Sequence, residues 1–115
     1  MPVTPARARH MALAFEDAAA APHMDRTAFR TPRKIFATLA NDGADINLLF
    51  ERELQRFYCE HLPAVFAPVP GGWGRMGFTR CDLKKVDATT LQSALKAAHA
   101  LAGPKPKKKR PPKRS

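Results

Sequence analysis

Cys59, His61 and His23 are residue types that can hold a transition metal. A structural zinc ion takes four ligands, and Cys59-x-His61 is not a usual spacing for two of them. Residues two apart on a helix do not share a face. No metal site is therefore expected. His23 stands close to Asp25, and a histidine beside a carboxylate is a general-base pairing. It has no evident nucleophile to serve, so its expected role is a hydrogen bond that fixes a turn. The sequence lacks a P-loop, a nucleophile elbow and a two-histidine zinc helix. Gly71-Gly72-x-Gly74 falls between predicted strands rather than ahead of a helix, so no helix dipole backs it as a phosphate loop. The expectation is a chain without catalytic residues, metal or cofactor.

Basic residues carry the stronger signal. Lys105, Lys107, Lys108, Lys109, Arg110, Lys113 and Arg114 crowd into residues 104–115, which otherwise hold only proline and serine. The chain carries a formal net charge of +10, from 20 basic and 10 acidic residues. Seven of the basic residues and none of the acidic ones lie in this tail, so the rest of the chain is nearly balanced. A segment of this composition cannot bury apolar surface and reads as disordered. Its prolines keep it extended, and extended cations can follow a phosphate chain at about −0.9 in salt slope per duplex contact. The bland counterpart is a solubilising tail. Arg30, Arg33, Lys34, Arg75 and Arg80 lie on or beside predicted strands and offer a second cationic surface. Trp73 and Arg75 would share one face of a strand, where an exposed ring could stack on an unpaired base. A tryptophan packed in the core is the usual alternative.

These residues need elements to hold them. Thr4-Pro5 is an N-cap followed by proline at the first helical position, and Met11, Ala14, Phe15 and Ala18 then recur at helical spacing. This first helix is predicted to run until Pro22. Residues 27–31, 33–39 and 44–49 read as strands, the last two joined through Asn41-Asp42-Gly43 as a hairpin. In the second of them, Ile35, Ala37 and Leu39 fall on one face and Phe36 and Thr38 on the other. Residues 51–61 read as a helix with Leu54, Phe57 and Tyr58 as its apolar stripe. Residues 65–69 and 73–80 read as strands around Pro70-Gly71-Gly72, the glycines of the second marking a bulge or a close backbone approach. Asp87 caps a last helix with Leu91, Ala94, Leu95, Ala98 and Leu101 or Ala102 facing inward, and Gly103 stops it. The order is α-β-β-β-α-β-β-α. The fold class is α+β, a two-layer sandwich of helices on an antiparallel sheet. One domain, residues 1–103, precedes the tail.

His23-Met24, Ala28-Phe29-Arg30, Lys34-Ile35-Phe36-Ala37-Thr38-Leu39 and the segment from Phe66 through Pro68-Val69-Pro70-Gly71-Gly72-Trp73-Gly74-Arg75 to Gly77-Phe78-Thr79 resemble the MmcQ/YjbR family. The resemblance covers roughly residues 5–102. It implies a two-layer fold like that of type III secretion chaperones. It also implies likeness to a double-wing DNA-binding motif, in which a sheet meets the nucleic acid. The chain departs from the family at Thr31-Pro32-Arg33, where members often carry two glycines, and at Phe78, where they often carry tryptophan. The tail lies outside the family domain.

The expected function is non-enzymatic nucleic-acid binding, most naturally to DNA, with phosphate contacts from the tail. The alternative is a protein-interaction module or chaperone-like adaptor, as a homodimer or with another protein. Residues 11–21 are interrupted by Glu16 and Asp17 and do not read as a signal peptide. No apolar run approaches the ~20 residues of a membrane span. A cytoplasmic location with Cys59 and Cys81 reduced is expected. Cys59 should pack beside its helix, while Cys81, at a strand end, is the more exposed candidate.

Overall fold

Strand pairing decides this fold, and it claims residues that local propensity assigns elsewhere. The structure, a computed structural model, describes residues 3–103. Helix α1 spans Pro5–Leu13, with Thr4 Oγ1 accepting from Arg7 N–H at 3.1 Å. It stops well before Pro22, because Ala19–His23 forms strand β1 against β2, Arg26–Arg30, from Ala19 opposite Arg30 to His23 opposite Arg26. Helix propensity separates residue types by only about 0.7 kcal/mol at most outside glycine and proline, so tertiary pairing overrides it. Pro22 is tolerated because β1 is an edge strand, where a missing N–H interrupts no ladder on the open side.

Strands β3, Ile35–Ala40, and β4, Asp45–Leu49, form the expected hairpin around Asn41-Asp42-Gly43. Asp42 Oδ1 accepts from Ala44 N–H at 2.9 Å and shapes the turn. The register between β2 and β3 slips at Phe29/Arg30, where Ala37 opposes Phe29 and Ile35 opposes Arg30. The extra residue is Phe36. A bulge of this kind can turn two successive side chains toward one face. Phe36 therefore leaves the Thr38 face, to which alternation assigned it, and packs against Phe15 and His99.

Helix α2, Arg52–His61, is capped by the backbone of Glu51. Its stripe differs from expectation. Tyr58 stacks on Phe50 at 5.0 Å and meets Phe66 at 4.7 Å, while Phe57 is 50 % exposed. The buried residue is Gln55, whose amide donates to the carbonyls of Gly74 and Phe78. Strand β5, Phe66–Pro68, then leads to a four-residue helix α3, Gly72–Arg75, and to β6, Phe78–Asp82. The predicted strand over residues 73–80 thus splits in two. Gly77 adopts φ 113°, and a Cβ on it would overlap the Phe50 carbonyl oxygen.

The sheet is antiparallel throughout, in the order β1-β2-β3-β4-β6-β5. Helix α4, Ala88–Ala102, lies on β3 and β4 and buries Leu91, Ala94, Leu95, Ala98 and Ala102, leaving Leu101 exposed. With Phe29, Ile46, Leu48 and Phe66 these residues form the core of the α+β sandwich.

Asp87 Oδ1 accepts from Thr90 N–H at 2.7 Å at the start of α4. This hydrogen bond to the Thr90 backbone holds the carboxyl below its ordinary value. A carboxyl depressed on folding stabilises the fold above its unfolded pKa of about 3.9 and loses that contribution as pH falls through the folded value. Asp87→Ala is therefore expected to lower the Tm at neutral pH. The gap between variant and parent should narrow in melts recorded as the pH falls below the ordinary carboxylate range.

Candidate nucleic-acid interface

Period-two alternation sends every second side chain of each strand away from α4. Arg26 and Arg30 of β2, Thr38 of β3, Asp45 and Asn47 of β4, and Phe78 and Arg80 of β6 share that second face. At its centre Arg26 Nη2 donates to Asp45 Oδ1 at 2.7 Å, and Arg26 Nε donates to Thr38 Oγ1 at 2.8 Å. Arg80 Nε reaches Asp45 Oδ2 at 3.1 Å. The Asp45 side chain is only 13 % exposed. One carboxylate thus holds two guanidinium groups, with Asp82 opposite Asp45 on the same face and Asp25 in the lining beside Arg26.

A cleft of about 190 Å³ opens on this face, lined by His23, Met24, Asp25, Arg26, Thr38, Asn47, Val69, Trp73 and Phe78. His23 sits on the edge strand β1 and Trp73 follows the opposite edge strand β5, yet their rings lie 6.0 Å apart. Strands spaced about 4.8 Å apart would put the edges of a flat six-stranded sheet about 24 Å apart. The sheet is therefore not flat, and the end of β1 and α3 come together as an arch over this face. The Asn47 side-chain amide and the His23 ring make no hydrogen bond with any described residue. The expected turn-fixing hydrogen bond of His23 is not formed; its ring meets Trp73 edge to face instead.

Trp73 is 46 % exposed, so it does not pack in the core. It also does not sit on a strand beside Arg75. Both belong to α3, with Arg75 exposed at its last position. Gly74 between them abuts the Val69 carbonyl, the close backbone approach that the glycines predicted, but made by a helix. The Trp73 and Phe78 rings meet in a T-shaped contact with centroids 5.0 Å apart.

Arg30, Arg33 and Lys34 come together at the far end of β2 and at the turn that follows it. The buried Thr31 hydroxyl accepts from the N–H groups of Arg33 and Lys34, at 3.1 and 3.3 Å, which shapes the turn and leaves both basic side chains exposed. Gly103 packs against this corner: a Cβ on it would stand 3.1 Å from Arg33 Cδ. The tail cations Lys105, Lys107, Lys108, Lys109, Arg110, Lys113 and Arg114 lie outside the described residues. Sequence reasoning placed Arg30, Arg33, Lys34, Trp73, Arg75 and Arg80 in one surface. The fold instead divides them between the cleft with its arch and the corner.

It overlooked Arg26, Asp45, Asn47 and Met24. The alternation of Asp45 and Asn47 with Ile46 and Leu48 was the legible sign of a polar strand face. Nothing in the sequence showed that Arg26 would reach Asp45 across β3.

The thiols take no part. Cys81 is fully buried, against expectation, and burial pushes it up to about 12. Burial also raises Cys59. Since the thiolate is the reactive form, Cys81 in native protein near neutral pH should not react quickly with a disulfide reagent, whereas Cys59 is partly exposed. Cys81 should react only at the rate of unfolding. A burst of Cys81 labelling in folded protein would contradict its burial. Among the described residues no helix is long and apolar enough to cross a membrane.

No protein-family model matches the chain, and no curated protein does. A solved structure shares the fold: Deinococcus radiodurans protein DR2400, a DUF419 domain, superposes with a TM-score of 0.70 at 16 % identity, over 86 % of this chain and 78 % of that one. At that identity the likeness extends to the architecture of helices on one antiparallel sheet, and this chain has the fold of a DUF419 domain.

Proposed function

We propose that this protein binds nucleic acid through the sheet face turned away from α4, as a non-enzymatic member of the MmcQ/YjbR group. The resemblance in the segments around Lys34-Ile35-Phe36 and Pro70-Gly71-Gly72-Trp73 supports that membership, as does the DUF419 fold. The observation that carries the binding reading is the exposed basic corner of Arg30, Arg33 and Lys34, on which Gly103 rests. Seven further cations follow Gly103 in the sequence. Cations of this kind neutralise phosphates and position a protein without reading sequence.

A titration of the full chain against labelled single-stranded and duplex DNA at about 50 and 200 mM salt tests this. Binding that weakens steeply with salt is the expected result. Failure to bind either form at the lower salt would defeat the proposal. A second reading, a protein-interaction module, draws on the exposed Phe57, Leu62 and Leu101. It predicts a dimer or a co-purifying protein that persists at high salt, which light scattering detects.

A further inference from the structure

We propose that the cleft under the His23–Trp73 arch holds one unpaired base of a nucleic-acid strand, with Trp73 as its stacking surface and the Asn47 amide on its edge. This rests on the nucleic-acid reading above and adds what the face recognises.

Four observations point there. The first is size. About 190 Å³ lies below the roughly 300–1,000 Å³ of pockets for drug-sized ligands, so the cleft fits one ring system and not a dinucleotide cofactor. The second is the state of Trp73. Its two ring neighbours, His23 and Phe78, both meet it edge to face, at interplanar angles of 74° and 66°. Among the described residues no ring lies parallel to the indole, so Trp73 takes part in no face-to-face stack. Aromatic faces of this kind are how single strands are held without regard to sequence.

The third observation is uncommitted hydrogen bonding. The Asn47 amide has one acceptor and two donor hydrogens with no partner among the described residues. Adjacent donor and acceptor atoms line base edges, and an amide pairs with them in two parallel hydrogen bonds. Arg26 beside it is fixed through Nε and Nη2 by Thr38 and Asp45, which leaves Nη1 without a described partner. An arginine already anchored on two atoms loses little freedom when it meets a ligand.

The fourth is Met24. It holds φ 58°, a strained region for a residue with a side chain, and it is 91 % exposed at the cleft rim. The positive φ closes the two-residue turn between His23 and Arg26, but folding gains nothing from the exposed side chain. That exposure is accounted for if Met24 covers the open side of a bound ring.

Paired bases are stacked and shielded, so duplex DNA cannot fill the cleft without losing a pair. The cleft therefore favours single strands, loops or ends. Arg30 shares the face with Arg26, four residues along β2 or about 13 Å away. The phosphates flanking a seated base can reach the basic corner.

The experiment uses the full chain and a labelled single strand of mixed sequence. Comparison ligands are its duplex, an abasic strand with the same phosphates, and inorganic polyphosphate. Trp73, the sole tryptophan of the chain, reports occupancy through its emission. The single strand should change Trp73 emission and bind at least about tenfold more tightly than the abasic strand. Trp73→Ala should cost about 5- to 150-fold in single-strand affinity by anisotropy, and Asn47→Ala should move it toward the abasic value. Asn47 is on the solvent-facing side of β4, so its variant keeps the test sound if Trp73→Ala folds poorly. Met24→Gly should raise the Tm while weakening single-strand binding. Equal affinity for the intact and abasic strands, with Asn47→Ala silent, would overturn the base site and leave phosphate binding standing. No binding to any of the four polyanions would overturn both.

Discussion

A chain ending at Gly103 should show a salt slope for single-stranded DNA shallower by up to about 5 than that of the full chain. Seven cations are removed, and each phosphate neutralised on a single strand contributes about −0.7. Between about 50 and 200 mM salt, a slope difference of that size changes relative affinity roughly a thousandfold. The shortened chain should therefore bind much more weakly at the lower salt, with a smaller further loss at the higher one, at most about twentyfold if Arg30, Arg33 and Lys34 each meet a phosphate. Its preference for an intact over an abasic strand should persist, because His23, Asn47 and Trp73 all precede residue 103. Anisotropy titrations at four or five salt concentrations read both quantities. An unchanged slope would show that the tail cations meet no phosphates, leaving Arg30, Arg33 and Lys34 alone to hold the strand.

Gly77→Ala should be strongly destabilising. The residue sits at φ 113°, its carbonyl accepts from Phe50 N–H and Thr79 Oγ1–H, and an added Cβ would overlap the Phe50 carbonyl. Neither neighbour can retreat: Phe50 is buried and stacked on Tyr58, and Thr79 is buried. The strain and the displaced backbone together should cost about 3 kcal/mol or more, against about 5–15 kcal/mol of total stability for a domain of this kind. Gly71→Ala is the control. Gly71 also has a positive φ, of 79°, with ψ −153°, but nothing stands within 4 Å of the new methyl, so only the dihedral strain remains, about 1–3 kcal/mol. Urea unfolding monitored at Trp73 should therefore show a larger fall in midpoint for Gly77→Ala than for Gly71→Ala. Equal shifts would mean that the Phe50 carbonyl yields freely.

Local chemistry made several parts of this architecture legible. Thr4-Pro5 starts α1, Asn41-Asp42-Gly43 turns β3 into β4, and Asp87 and Gly103 bracket α4. Each depends on atoms within a few residues, so composition and spacing suffice. Two elements escaped for opposite reasons. The alanine-rich residues 14–21 favour helix, but those from Ala19 pair with β2, and the ladder outweighs a small propensity. Residues 73–76 alternate like a strand, but Gly74 and Gly77 allow backbone contacts with Val69 and Phe50 that no strand would make. Phe36 changed faces because one bulged residue inverts the alternation on which its assignment rested.

The basic corner was similarly divided between the two levels. Arg30, Arg33, Lys34 and the tail could be named as cations from residue types alone, since charge is a property of composition. Their common location beside Gly103 depended on where α4 ends over the sheet.

By itself, then, the sequence determined the α+β class, the charge of the chain and most helix ends, because these follow from side-chain type and near-neighbour backbone geometry. The tertiary structure alone decided that His23, Asn47 and Trp73 would enclose one cleft and that Asp45 would bind both Arg26 and Arg80. Those contacts join residues as many as 50 positions apart. Their geometry is set by sheet curvature and strand register, which are properties of the packed whole and are encoded at no single position.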